Sequence, residues 1–291
     1  MPPLSSRPLF SLVVATVGRT EELRRLFASI LDQGLAAIEV IVVDQNPDGR
    51  LYPYIADLST RVVCKHIHET GYGVSWARNR GLEAAAGEFV AFPDDDCSYS
   101  PRLLSQVADW LRTHPAYGLL AVGSVDDSGI SSGNRWVQSS CNIRRHNAFR
   151  TTFCSSLFFR RSAIPAEVRF DLCIGPGPHA PFDSGEETDF VISLLSRGLR
   201  GRFERNMKVV HPRRDMLTSH ISEDRAIGYG HGMGRVLRKH ALHGLWAGLV
   251  TYDLARYGLV FAQGRRDAEQ RCLGHLKGLV RGFGAPSGSF R

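Results

Sequence analysis

The sequence predicts an α/β protein in which a mostly parallel central sheet carries helices on both of its faces. Over about the first hundred residues, short apolar runs alternate with segments of helical periodicity in the order β-α-β-α-β. Hydrophobic residues make up 43% and charged residues 22% of the 291 positions, which excludes general disorder. The six scattered cysteines form no Cys-x-x-Cys pair, so neither a zinc ribbon nor a dense disulfide framework is expected.

The first half of the chain contains four predicted strands and three predicted helices. Between the first two strands, apolar residues recur at i, i+3, i+4 and i+7 from Leu23, which gives one apolar helix face. Thr20 is the predicted N-cap of that helix and Gly34 its predicted end. The strands are predicted at residues 9–15, 38–43, 61–67 and 88–92. The other two helices are predicted at residues 74–86 and 100–114.

The second half of the chain is less regular. Strands are predicted at residues 119–122 and 153–160, on either side of a polar stretch. The segment GPGPHAPFDS, residues 175–184, is predicted to be a loop, and a helix follows at residues 186–197. From residue 226 onward the pattern is helical and basic.

Charge is distributed unevenly along the chain. Residues 1–190 carry 18 Lys and Arg against 22 Asp and Glu, whereas residues 191–291 carry 18 against 7, a net charge of +11. An arginine-rich surface suits phosphates or anionic lipid head groups, and the alternative is a solvated basic face. Nucleic-acid binding is not expected, because no recognition module is present and aromatic residues do not alternate with the basic ones.

The apolar stretch at residues 243–264 is interrupted by Asp253 and Arg256, so a membrane-spanning helix is not expected. Two interpretations of this segment stay open. It is either a helix at a membrane surface, for which Trp246 and Tyr252 are suitable, or a helix packed against the protein. The N-terminus lacks a signal-peptide cleavage pattern, so we expect a cytoplasmic protein, with peripheral contact at the inner face of the cytoplasmic membrane as the open alternative.

Three consecutive aspartates, Asp94, Asp95 and Asp96, directly follow the fourth predicted strand. Adjacent carboxylates repel one another, so this corner requires compensation by a cation or by solvent. A Mg²⁺ or Mn²⁺ ion bridging to a diphosphate would supply it, and the alternative is an acidic turn exposed to water. Asp44 ends the second predicted strand, and ligands of parallel sheets bind beyond the carboxyl ends of the strands.

The run YGVSWARNRGLEAAAGEFVAFPDDDC resembles the nucleotide-binding half of family 2 glycosyltransferases, which have the GT-A fold. The matching features are the Ala-Arg-Asn-x-Gly helix, the Gly-Glu-aromatic strand start and the Asp-x-Asp that follows. The resemblance implies a Rossmann-like nucleotide-diphospho-sugar transferase domain at residues 1–225. This domain would comprise a nucleotide-binding half at about 9–115 and an acceptor half at about 116–225. Residues 226–291 would form a basic helical extension.

The same resemblance implies roles for individual residues. Nucleotide-sugar-binding positions are implied for Thr16, Arg19, Asp44, Arg78, Asp94 and Asp95. Within this set, Asp44 would bond the base, Arg78 would lie near the base or the diphosphate, and Asp94 would hold the ribose side. Metal ligands are implied at Asp96, Asp94 and His211, and Arg213 and Arg214 would neutralise the departing diphosphate.

The segment SGEETDF, residues 184–190, resembles the catalytic Glu-Asp motif of that family. Inverting transfer requires a general base that removes the proton of the acceptor hydroxyl. Glu187 stands where the family usually has aspartate and is the implied base, with Glu186 and Asp189 as alternatives. A structural interpretation competes, because Ser184 and Glu187 fit the Ser-x-x-Glu capping box.

The implied function is inverting transfer of a sugar from a UDP-, GDP- or dTDP-sugar to a hydroxyl of a saccharide or lipid-linked acceptor in cell-envelope glycan synthesis. A sugar nucleotidyltransferase is one alternative, although the loop ATVGRTEEL has one glycine and no lysine with which to hold a triphosphate. A non-catalytic saccharide-binding module is the other, and the presence of Asp94, Asp96 and Glu187 argues against it.

Overall fold

A single nine-stranded sheet forms the centre of the molecule in a computed structural model, which describes residues 7–35, 37–131, 137–212 and 222–285. In chain order, strands β1 to β9 span Phe10–Thr16, Ile38–Asp44, Val63–His68, Phe89–Ala91, Ser98–Tyr99, Leu119–Val125, Cys141–Ile143, Leu157–Arg160 and Gly201–Val210. Helices α1 to α8 span Glu21–Leu31, Tyr52–Ser59, Val74–Ala84, Leu103–Thr113, Glu186–Leu195, Glu223–Lys239, His243–Ala262 and Arg266–Gly284.

The strand order is β3-β2-β1-β4-β8-β6-β9-β5, with β7 also paired to β9. The first four strands of this order are parallel, as the β-α-β pattern predicts. Strand β8 runs antiparallel to both β4 and β6, so the complete sheet is mixed. The sheet is therefore parallel where its strands are joined by helices and changes direction at β8.

Helices cover both faces of the sheet, which is why β1 and β2 are apolar almost throughout rather than alternating. Helices α1, α2 and α4 pack with one face in a core that includes Phe10 and Leu12. Helices α3 and α5 pack on the other face, in a core that includes Val13 and Phe190. The α/β fold with helices on both faces is thereby confirmed.

Several elements differ from the expectations in extent. The strand expected at 153–160 begins only at Leu157, because Cys154–Ser156 forms a 3₁₀ turn. Strands β5 and β7 are two and three residues long, too short to show a periodic pattern, and both form by pairing with β9. Strand β9 is ten residues long and partly exposed, and its full length was not predicted, because its sequence has no sustained apolar run.

The three C-terminal helices form a unit built on glycines. Helices α6 and α8 run parallel and in close contact: a Cβ at Gly230 would collide with the carbonyl oxygen of His275, and a Cβ at Gly278 with that of Ile227. Helix α7 runs antiparallel along α8, where the carboxylate of Asp253 contacts His275 Nδ1 at 2.6 Å. The glycines that recur in this part of the sequence are the positions at which α6 and α8 pack against each other.

Candidate active site

A cavity of about 560 Å³ opens beyond the carboxyl ends of β1 and β4. This volume falls in the range of small-molecule sites. The predicted site residues that line it are Thr16, Arg19, Arg78, Asp94, Asp95, Asp96, Glu186 and His211. Residues from five separate parts of the chain are thus brought together at one edge of the sheet, where ligands of such sheets bind.

The three aspartates that follow β4 are held by cationic and hydroxyl partners. Arg19 Nη1 lies 2.6 Å from carboxylate oxygens of both Asp95 and Asp96. The Thr16 hydroxyl donates a hydrogen bond to Asp95 at 2.8 Å. Arg78 Nη2 lies 3.1 Å from Asp94. The acidic corner is therefore not a solvated turn: each carboxylate has an assigned partner on another element.

Burial and these partners act in opposite directions on the aspartates. Burial raises the pKa of Asp95 to about 6, despite the lowering effects of Arg19 and Thr16. Burial also raises the pKa of Asp94, against the charges of Arg78 and His211. Burial would raise the pKa of Asp96 as well, but His211 and Arg19 outweigh it and hold that pKa well below its usual range. Asp96 is thus the carboxylate most firmly kept as an anion.

His211 follows β9 and places its ring between Asp94 and Asp96. Its Nε2 lies 3.2 Å from Asp96 Oδ1 and 3.8 Å from Asp94 Oδ2. Burial alone would lower the pKa of His211, but the Asp96 hydrogen bond and the two carboxylate charges raise it. Its Nδ1 lies 2.9 Å from the carbonyl oxygen of Pro212. Since Nδ1–H donates to that carbonyl, it is Nε2–H that donates to Asp96, and in the neutral ring the Nε2 lone pair would be available to a cation instead.

Asp94, Asp96 and His211 together form a donor set for a divalent cation. One ligand atom from each lies within 4.8 Å of the others. Two carboxylate oxygens and an imidazole nitrogen suit Mn²⁺ well, and the carboxylates suit Mg²⁺. The chemistry of the residues present therefore fits the predicted metal, with three ligands from two distant segments of the chain.

Arg78 links the aspartate corner to helix α5. Its Nη1 donates a 2.7 Å hydrogen bond to Glu186 Oε1 while its Nη2 faces Asp94. The guanidinium is buried, and burial alone would lower the pKa of Arg78, but surrounding acidic groups raise it. Arg78 is therefore not a solvated surface charge but a buried cation that joins two acidic elements.

The capping-box interpretation of Ser184 and Glu187 is also wrong. The N-cap of α5 is Gly185, in the left-handed region at φ 94°, and no side chain caps the helix. The Ser184 hydroxyl instead donates to the Tyr229 carbonyl of α6 at 3.3 Å. Glu187 therefore does not form the capping box that the Ser-x-x-Glu pattern predicted.

Glu187 lies on the first turn of α5, half-buried and next to Glu186. It is not among the residues that line the cavity. Burial raises the pKa of Glu187 to about 8, and the charges of Glu186 and Asp94 act in the same direction. A carboxyl group whose pKa lies near neutrality is typical of a general acid or base.

Besides Glu187, two predicted site residues, Asp189 and Asp44, lie outside the cavity lining. Asp189 is buried, and its carboxylate contacts Nζ of Lys239, the last residue of α6, and Nε2 of His240, which follows it, each at 2.8 Å. This arrangement joins α5 to α6 and explains the carboxylate without a catalytic role. Asp44 is also buried, with Asn46 donating to one oxygen and His66 3.1 Å from the other.

The cavity has further walls that sequence reasoning missed. Gln45 follows β2 and accepts a 2.8 Å hydrogen bond from the backbone N–H of Gly73. Gly73 in turn meets Gly177 so closely that a Cβ on either would approach the other backbone within 3 Å. The glycines of the 175–184 loop were the available signal, but their partner could not be located from sequence.

The predicted Arg213 and Arg214 lie outside the described residues.

The family model described as glycosyl transferase family 2 matches residues 11–164, more than half of the chain. The chain belongs to this family. The match contains the strand ends, the Ala-Arg-Asn-x-Gly helix and the aspartate corner. His211 and α5, which complete the cavity, lie beyond it.

Curated relatives match parts of the chain at low sequence identity. The succinoglycan biosynthesis protein ExoM of Rhizobium meliloti is 27% identical over 186 residues, which are 61% of this chain and 57% of that protein. The chain spans about half or less of the length of the other leading curated relatives.

Two solved structures share the fold. The mannosyltransferase PcManGT of Pyrobaculum calidifontis, in complex with GDP-Man and Mn²⁺, aligns with a TM-score of 0.65 at 16% identity, over 96% of this chain and 88% of its own. S. aureus TarS 1-349 in complex with UDP-GlcNAc aligns with a TM-score of 0.59 at 15% identity, over 94% and 89%. The predicted GT-A fold is thereby confirmed.

The hydropathy of the helices bears on membrane association. No helix in the described part of the chain is both long enough and apolar enough to cross a bilayer.

Proposed function

We propose that this chain transfers a sugar from a nucleotide-sugar to a hydroxyl group of a saccharide or lipid-linked acceptor, with inversion at the anomeric carbon. The observation that carries the proposal is the meeting, around one cavity, of the Asp94, Asp96 and His211 set with the acidic first turn of α5. Family membership and the nucleotide-sugar complexes of the two structural relatives support it.

Asp94, Asp96 and His211 would hold Mn²⁺ or Mg²⁺. The bound cation would neutralise charge on the nucleoside diphosphate, so that this group leaves more readily. Arg19 and Arg78 already balance the aspartates, and they lie at the cavity wall, where they add positive potential around the diphosphate. The residues of the corner thus bind and orient the donor rather than take part in bond formation.

The base would be Glu187. Its carboxylate would accept the acceptor hydroxyl proton as that oxygen bonds to the anomeric carbon and the bond to the diphosphate oxygen breaks. Glu186 is the weaker candidate, because its carboxylate is already held in an ion pair with buried Arg78. The charge of Arg78 also acts on Glu187, but burial and the neighbouring carboxylates outweigh it, and the raised pKa of about 8 makes Glu187 the better proton acceptor once it is ionised.

The test is a turnover screen. Purified protein would be incubated with UDP-, GDP- and dTDP-sugars, with Mn²⁺, with Mg²⁺ or with chelator, and release of the nucleoside diphosphate measured. We expect release from one donor class, dependent on the divalent cation, and an anomerically inverted product. Pyrophosphate formed from a nucleoside triphosphate and a sugar phosphate would instead identify a nucleotidyltransferase. Binding of saccharide without turnover of any donor would identify a non-catalytic module.

A further inference from the structure

Within the described ranges of the chain, most of the surface of helix α7 is not covered by other elements. Only Asp253 and Val260 of its 20 residues are buried, where the helix lies on α8. Large apolar side chains flank the outward surface, and two of them, Leu259 and Phe261, are 61% and 63% exposed. Tyr252 and Leu254 are more than half exposed as well. An uncovered apolar surface of this kind marks a binding face.

Charged groups are absent from the outward surface of α7. The two charged residues of the helix, Asp253 and Arg256, are buried and half-buried on the side that faces α8. The helix can therefore sink to about the level of its axis in an apolar medium without removing an exposed charge from water. Its length of 20 residues corresponds to about 30 Å of such surface.

Positive charge predominates in the three C-terminal helices, one of which carries this apolar surface. Helices α6 to α8, residues 222–285, carry ten Lys and Arg against five Asp and Glu. Arg265 and Arg266 are exposed at the turn into α8, directly after Leu259 and Phe261, with Asp267 beside them. A second copy of this basic unit would be repelled, whereas an anionic lipid surface would be attracted. Charge complementarity thus favours one occupant.

We propose that α7 docks on an anionic lipid bilayer, with Tyr252, Leu254, Leu259 and Phe261 in the interface and Arg265 and Arg266 at the lipid phosphates. The helix would lie in the plane of the interface, as apolar helices with basic flanks do. This placement chooses the surface-helix interpretation of residues 243–264. It does not depend on the proposed sugar transfer, because binding is measured without any substrate.

The experiment is co-sedimentation of the full chain with vesicles. One set is pure phosphatidylcholine, and the other contains about one third phosphatidylglycerol. The apolar variant is Leu259→Gln with Phe261→Gln, and the charge variant is Arg265→Gln with Arg266→Gln. The matched control is Ile130→Gln with Leu172→Gln, two residues of similar exposure (52% and 51%) outside the C-terminal helices. Circular dichroism verifies that each variant folds.

We expect the wild type and the control to bind the anionic vesicles and to bind the neutral ones much less. The apolar variant should lose at least about tenfold in partitioning. The charge variant should lose roughly fivefold per arginine on anionic vesicles alone. Equal binding to both vesicle types, or equal binding by wild type and apolar variant, would overturn the proposal. So would absence of sedimentation together with a dimer, seen by light scattering, that the apolar variant dissociates.

Discussion

The strand-end cavity and helix α7 are opposites in what they bury: the cavity region buries charged groups, whereas α7 exposes apolar ones. Around the cavity, charges are buried and each carboxylate of the aspartate corner has a partner, as Arg19 and Arg78 show. On α7, apolar side chains such as Phe261 are exposed, and no element among the described residues covers them. Burial of a charge and exposure of an apolar surface both cost free energy, so each points to a ligand that relieves the cost.

The two regions are also held together by different kinds of contact. The cavity lies on the ends of buried parallel strands, whose register is fixed by apolar side chains on both faces. The C-terminal unit is held by close contacts between the glycines of α6 and α8 and the backbone of the opposite helix. Helix α6 connects the two, since Asp189 of α5 bonds Lys239 and His240. The substitutions described next test the chemistry of the cavity and the packing of the C-terminal helices separately.

The largest effect is expected for Glu187→Gln. Loss of the general base should lower kcat by about 10²–10⁴-fold with little change in donor KM. Glu186→Gln is the informative comparison, because it removes the Arg78 partner and should impair donor binding as well. A Glu187→Gln enzyme that retains full turnover, while Glu186→Gln is inactive, would transfer the role of base to Glu186.

Asp96→Asn should lower kcat/KM by about 10²–10³-fold, because the carboxylate that is most firmly anionic leaves the metal set. Added Mn²⁺ should restore part of the activity if the amide oxygen still binds the ion weakly. Asp57→Asn, at an exposed position of α2, is the matched control and should behave as the wild type. Identical metal dependence in Asp96→Asn and the control would remove Asp96 from the metal site.

Gly278→Ala tests the architecture instead of the chemistry. Its new Cβ would collide with the Ile227 carbonyl of α6, so the helices must separate, at a cost of about 1–3 kcal/mol in the free energy of unfolding. Gly248→Ala on the outward side of α7 meets nothing within 4 Å and should be neutral or stabilising. Thermal denaturation measures both, and equal melting temperatures would contradict the close packing of α6 on α8.

A smaller effect is expected in the pH dependence of stability. The pKa of Glu187 is raised by burial to about 8, so the folded state holds its proton more tightly than the unfolded state. The stability it contributes is complete below about pH 4.5 and is lost as the pH rises through about 8. Without metal, Glu187→Gln should therefore gain relative to wild type between pH 5 and pH 8.

The gain is on the order of 1 kcal/mol after discounting for the half-exposed position, or about 2–4 °C in melting temperature. Glu21→Gln, at an exposed position of α1, is the control and should show no such trend. A melting-temperature difference between Glu187→Gln and wild type that is independent of pH would show that Glu187 ionises normally.

Much of the first region could be predicted from sequence because its determinants are local. Strand ends β1, β2 and β4 are marked by Thr16, Asp44 and Asp94 directly after apolar runs, and parallel topology brings such ends to one edge. What could not be predicted is which partners the charges take. Asp44 and Asp189 were expected at the nucleotide and the acceptor, and neither lines the cavity. The role implied for Asp44, a bond to the base of the nucleotide-sugar, stays a prediction.

The second region was less predictable because its determinants are contacts between distant segments. A glycine ordinarily lowers helix propensity. The reason for a glycine at position 230 becomes clear only from the tertiary structure, where its lack of a side chain allows α6 to approach the backbone of His275. Likewise, an apolar run such as residues 243–264 cannot indicate which of its sides a neighbour covers. The domain boundary placed at residue 225 also stays a prediction, two residues after α6 begins.

The most direct test of the central claim is a Mn²⁺ titration followed by electron paramagnetic resonance, in which the free-ion signal disappears as the ion binds. With wild-type protein and the nucleoside diphosphate of its donor, a single tight Mn²⁺ per chain should be bound. Asp96→Asn should leave the ion free at the same concentrations, whereas Asp57→Asn should not. An unchanged titration in Asp96→Asn would contradict the assignment of the strand-end cluster as the metal and diphosphate site.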